Sequence, residues 1–140
     1  TADDAARFDE RARVLVDHFD AITVLDTVRA NGTFTLGENI ADQGGMQVSY
    51  HAFMKTDQAA AGEAIDGFTP AQRFFLSYAA LWAGNVRDAE ILRLTKIDPH
   101  SLGRWRVDGA VPHVDAWYDA FNITSSDPLW LPEEKRASIW

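Results

Sequence analysis

The chain has 140 residues, 46% of them hydrophobic, with 21 acidic against 13 basic side chains and a net charge of −8. That length fits one domain with a sizeable core; no basic stripe favours a nucleic-acid partner, and no apolar run approaches the roughly 18 residues of a membrane span. No cysteine is present, which excludes disulfides, thiol catalysis and cysteine-ligated zinc.

Residues 3 to about 25 set Phe8, Ala12, Leu15 and Phe19 near helical spacing. Asp3 and Asp4 suit the positive end of that helix. Asn31-Gly32 reads as a turn. A second helix is expected from Thr35 to about Lys55, interrupted by Gly44-Gly45. Each of those glycines costs roughly 1 kcal/mol relative to Ala, which suits a place where another backbone packs close. Residues 56 to 68 read as a loop. Thr69-Pro70 opens a third helix, Thr as N-cap and Pro at the first helical position. That helix, PAQRFFLSYAALWAG, is apolar nearly all round and is expected to be buried. A short helix over about 86 to 96 precedes DPHSLGRWRVDGAVPHV, which reads as irregular and extended. A last helix, about 112 to 121, carries Trp117, Tyr118 and Phe121, and the tail ends on Trp140. The predicted fold is all-α, about four to five helices with irregular connecting loops, in one domain over 1–140.

One stretch poses a chemical question. In FTLGENIADQGG, Glu38 and Asp42 stack a turn apart on one helix face. Like charges at that spacing destabilise an isolated helix by a few tenths of a kcal/mol. For an arbitrary Glu-x-x-x-Asp a solvated acidic patch is the default. Here the small, apolar surroundings suit a buried helix, and buried carboxylates need a metal, a cation or strong hydrogen bonds.

TLGENIADQGG resembles the third-ligand motif of the neprilysin / endothelin-converting-enzyme family of zinc metallopeptidases. TPAQRFFLSYAALWAG, DPHSLGRWRVDGAV, WYDAF and a C-terminus of hydrophobic residue plus Trp are similar to the same family in the same order. The resemblance covers residues 31 to 140. It implies the C-terminal part of a thermolysin-like catalytic domain, with zinc as cofactor and a short peptide as substrate, cleaved on the amino side of hydrophobic residues. By the resemblance Glu38 would be the third zinc ligand and Asp42 would hydrogen-bond a ligating histidine. His100 would hydrogen-bond the oxyanion of the transition state. Arg106 would bind a substrate carbonyl, and Leu81 and Trp82 would wall the pocket for the side chain after the scissile bond. The lack of cysteine suggests a bacterial homologue, cytoplasmic, periplasmic or on the cell surface.

The family's His-Glu-x-x-His is absent, since no two of the four histidines lie four apart. The chain therefore reads as lacking two ligands, the general base and the domain that closes over the site. The missing N-terminal part is an expected partner, and the isolated chain is expected to be inactive. The helix-two face bearing Ile40, Ala41 and Gly44-Gly45 is expected to be exposed, which would let two copies dimerise. Arg104 and Arg106 would share one side of an extended stretch, so the residues alone leave both open. His18, His51 and His113 show no metal-ligand spacing. A non-catalytic helical module that binds peptides or proteins is the alternative reading.

Overall fold

The computed structural model describes residues 1–139; the Trp140 of the C-terminal motif lies outside the described residues. Helix α1 (Ala2–Asp20) opens on a capping box between Thr1 and Asp4 and buries Ala12, Leu15, Val16 and Phe19 on one face. It stops short of residue 25 because the β-branched run after Ile22 pairs as a hairpin. Strand β1 (Thr23–Leu25) lies antiparallel to β2 (Val28–Arg29), with Asp26 in the left-handed region at φ 49.

Asn31-Gly32 is the start of a helix rather than a turn. The Asn31 side chain caps α2 (Gly32–Phe53) by accepting from the Phe34 amide. A Cβ on Gly32 would sit 2.3 Å from the Val16 carbonyl oxygen, so only glycine lets α2 start this close to α1. The Gly32 amide also donates to Asp20 at 2.6 Å.

After the short α3 (Asp57–Ala60) comes α4 (Pro70–Leu81), with Thr69 as N-cap and Pro70 first as the sequence predicts; Gln72 completes a capping box with Thr69. The expectation that α4 is buried fails. Pro70 and Phe75 are buried, but Leu76 and Leu81 are 41% and 74% exposed. Its neighbours α2, α3 and α7 (Asp115–Phe121) leave much of its apolar surface uncovered.

Helix α5 (Asp88–Ile97) stands where expected. The next stretch is not extended. Leu102 caps α6 (Gly103–Asp108), its carbonyl accepting from the Trp105 and Arg106 amides, and a 3-10 turn over Val111–His113 leads into α7. Pro112 sits in that turn, so α7 begins three residues after the predicted start.

Two buried clusters hold the chain together. Met46, Phe75, Val111, Val114, Trp117 and Tyr118 fill one. Leu15, Phe19, Ala137 and Ile139 fill the other, so the tail covers α1. Side chains tie the tail down: the Gln43 amide donates to the Ala137 carbonyl, the Ala137 amide donates to His113 Nδ1 at 3.0 Å, and Arg11 donates to the Ile139 carbonyl.

Candidate active site

Helix α2 presents Glu38 and Asp42 side by side, and each meets a basic side chain from the segment after α5. Glu38 Oε2 lies 3.0 Å from His100 Nε2, in a pair about two-fifths exposed on each side. Asp42 accepts two hydrogen bonds from Arg106, from Nε and Nη2, both 2.6 Å. That second pair is enclosed, with side chains 14% and 10% exposed. The like-charge cost raised by the sequence is therefore offset by a separate partner for each carboxylate. The expected burial holds for Asp42 and not for Glu38.

His100 is held from behind. Its Nδ1 lies 2.7 Å from Asp98 Oδ1, which also accepts the His100 backbone amide at 3.0 Å. These two bonds favour the ionised carboxylate and lower the Asp98 pKa. With Nδ1 anchored on Asp98, the ring presents Nε2 towards Glu38.

The Arg106 guanidinium lies 3.9 Å above the Trp82 ring, a cation–π contact that fixes its plane. The bonds to Asp42 raise its pKa, keeping it charged. Tyr78 Oη donates to the Arg106 carbonyl at 3.0 Å. Burial and the nearby Asp42 push the Tyr78 hydroxyl up to about 12, so it remains a donor. Arg106 Nη1 makes no hydrogen bond among the described residues.

The two arginines left open by the sequence are separated by the helix they sit on. Arg104 turns outward to Asp108 at 3.0 Å with its side chain 74% exposed, whereas Arg106 turns in to Asp42. An open cleft of about 320 Å³ is lined by Trp82, Val86, Leu94, His100 and Arg106. Leu81 is not among its lining residues and stands 74% exposed.

Sequence reading missed Asp98, Tyr78, Asn39 and Ser101. Asp98 had a signal: an Asp two residues before a His can accept its amide and reach its ring. Asn39 and Ser101, joined by Ser101 Oγ donating to Asn39 Oδ1 at 2.7 Å, had none. His18 and His113, without any ligand spacing, meet edge to face at 4.6 Å between ring centroids.

Among the described residues no group of three His, Cys, Asp or Glu side chains is placed to hold a metal. The donor set fits one carboxylate ligand, Glu38, standing on the accessible side of α2. It does not fit a whole hydrolytic zinc site, which takes three protein ligands and leaves one position open.

The chain matches known proteins along its whole length. It superposes on the crystal structure of the Mycobacterium tuberculosis zinc metalloprotease Zmp1 in complex with inhibitor, with a TM-score of 0.93 and 36% identity, covering 100% of this chain and 22% of that one. PepO from Lactobacillus rhamnosis gives a TM-score of 0.84 and 30% identity, covering 100% of this chain and 21% of that one. Neprilysin-11 of Caenorhabditis elegans is 33% identical over 138 residues, 95% of this chain and 16% of that protein. Human endothelin-converting enzyme-like 1 is 33% identical over 138 residues, 96% of this chain and 17% of that protein. These likenesses define a class: the fold is the helical part of a metallopeptidase.

The chain belongs to Peptidase family M13, whose family model matches residues 1–137. It spans about a fifth or less of the length of the proteins it matches. Among the described residues no helix is long and apolar enough to cross a membrane.

Proposed function

We propose that these residues form one wall of the active site of a zinc metalloendopeptidase acting on short peptides on the amino side of hydrophobic residues. The observation that carries the reading is the Glu38–His100 contact at 3.0 Å beside an Arg106 fixed by Asp42 and Trp82. It sets an imidazole and a guanidinium that line one cleft beside a carboxylate of the type that binds metals.

Glu38 would be the zinc ligand this chain supplies. The metal, when bound, polarises a peptide carbonyl and lowers the pKa of a bound water. His100 Nε2 would donate to the carbonyl oxygen as it gains charge, with Asp98 holding the ring on Nδ1. Arg106 would offer Nη1 to a backbone carbonyl of the substrate, its fork aimed by Asp42. Each Asp42 oxygen keeps lone-pair capacity beyond Arg106, so a ligating histidine could also reach it. Trp82 would present its ring to the substrate side chain, and the exposed Leu81 would meet that side chain only with a further wall outside these residues.

The remaining ligands and the base would come from a His-Glu-x-x-His segment outside these 140 residues. The α2 face expected to receive it is shifted in register. Ile40 is half-buried against α1 and Gly44 is buried. Gly37, Ala41, Gly45 and Val48 are the exposed residues, and neither Gly37 nor Gly45 has an atom within 4 Å of where a Cβ would stand. A helix crossing there could approach closely; in its absence a second copy of the chain could bury the same stripe.

The test is Glu38→Ala in the full-length protein, read by zinc content and cleavage of a fluorogenic peptide. Loss of both is expected; retained zinc with full activity overturns the assignment. The 140 residues alone should neither bind zinc tightly nor cleave, since one ligand does not make the site. Peptide binding without cleavage by the full-length protein would instead support a helical binding module.

A further inference from the structure

We infer that Asn39 and Ser101 are positioning residues for His100: a buried hydrogen-bond relay from the α2 cap sets where the imidazole stands relative to Glu38. The inference rests on the function proposed above for its catalytic consequence, and on geometry alone for its positional one.

The relay begins at a fixed acceptor. The Asn31 carbonyl at the α2 N-terminus accepts from Thr35 Oγ1 at 3.0 Å. With its proton committed there, Thr35 Oγ1 acts as acceptor to Asn39 Nδ2 at 2.9 Å. That bond fixes the Asn39 amide and turns its Oδ1 outward. Oδ1 accepts from Ser101 Oγ at 2.7 Å, across to the segment after α5. Thr35 and Asn39 are 6% and 2% exposed, so solvent does not compete for the bond between them, and the bonds at either end are part-buried. The donor direction is the same at every step, and reversing the Asn39 amide would leave two acceptors facing each other at Thr35 and two donors at Ser101.

The ends of the relay adjoin the two functional side chains. Asn39 follows Glu38 in α2, and Ser101 follows His100. Asp98 sets the tilt of the imidazole but belongs to the same short segment, so it cannot fix the distance to α2. The Glu38–His100 pair is itself too exposed to do so, because surface ion pairs hold their geometry weakly. The enclosed Asp42–Arg106 pair also ties the two segments, but further along each of them; the part-buried Asn39–Ser101 bond is the side-chain tie that lies one residue from the pair it positions.

The experiment uses the full-length protein with Ser101→Ala and Ser101→Thr, and combines Ser101→Ala with Asn39→Ala. Amide hydrogen exchange of peptides spanning 98–102 is measured by mass spectrometry beside peptide hydrolysis and zinc content. In Ser101→Ala, exchange over 98–102 should rise about tenfold, the equivalent of one lost hydrogen bond, with α1 unchanged. Cleavage should lose kcat by a similar factor with KM and zinc content held. Ser101→Thr, which keeps the hydroxyl, should restore both, and adding Asn39→Ala to Ser101→Ala should change 98–102 little further. Unchanged exchange over 98–102, exchange that rises equally in α1, or failure of Ser101→Thr to restore the segment would overturn the inference. If the wild-type protein cleaves no peptide, the proposed function fails while the exchange result still decides the relay.

Discussion

His100 and His113 are the same side chain in opposite settings, thirteen residues apart. His100 is exposed, and each of its ring nitrogens faces a carboxylate, Glu38 on one side and Asp98 on the other. His113 is 4% exposed; its Nδ1 accepts the Ala137 amide, its Nε2 has no hydrogen-bond partner among the described residues, and its ring meets His18. Burial and the charge that His18 would carry push the His113 pKa down to about 3, so it is held neutral. In the proposed function, one histidine would donate a hydrogen bond to a group beyond the chain. The other serves as a neutral acceptor inside it. The difference lies in what surrounds the ring: acids and an open cleft in one place, an apolar core and a second imidazole in the other.

The comparison can be broken most forcefully at the acid that organises the open region. Asp42→Ala leaves the enclosed Arg106 guanidinium without its carboxylate, and removing one partner of such a pair costs about 3–5 kcal/mol. Urea unfolding should report a loss of that order, and a loss below 1 kcal/mol would show that the pair is not enclosed in solution. Next in size, His100→Gln in the full-length protein should lower kcat about 100- to 1000-fold with KM little changed, as removal of an oxyanion donor does. The same substitution at His113 should leave kcat within a fewfold, and a kcat lowered equally by both would erase the distinction.

The smallest effect concerns acid. The folded His113 pKa, about 3, lies below the ordinary unfolded value near 6.5. The unfolded chain therefore binds the proton first, and stability present above pH 6.5 is lost as pH falls from there towards 3. His18, whose pKa is also lowered by burial, acts in the same direction. The slope is about 1.4 kcal/mol per pH unit for each histidine fully affected. His113→Gln, which retains an acceptor for the Ala137 amide, should flatten the dependence by up to that amount between pH 6 and 4.5. An unchanged slope would place the acid sensitivity elsewhere.

What the sequence made legible follows the range of the interaction. Thr69 and Pro70 made the α4 start legible because an N-cap and a proline at the first helical position are adjacent residues. Asn31 was misread because Asn-Gly serves a turn or a cap equally well, and the contact of Gly32 with Val16 that decides between them is tertiary. The α6 helix was missed because its six residues offer no amphipathic repeat, only the local Arg104–Asp108 pair. Glu38, Asp42, His100 and Arg106 were picked out by motif. Motif did not show that Asp42 and Arg106 bind each other, nor that Leu81 stands away from the cleft. The meeting of His18 with His113 had no local trace at all, since only packing of the tail and the 3-10 turn against α1 brings them together.

The tail sets an order on how the chain can be completed. Ile139 and Ala137 supply half of the cluster that covers Leu15 and Phe19. The Arg11–Ile139 bond closes a loop of 128 residues, and the Gln43–Ala137 bond one of 94. Contacts this distant in sequence form late. During synthesis the apolar face of α1 is made more than a hundred residues before the tail, and the part that the tail covers stays open until residues 137–139 have cleared the ribosome. Over that interval α2, Trp105 and His113 give α1 partial cover, and its remaining apolar face is a natural substrate for a chaperone.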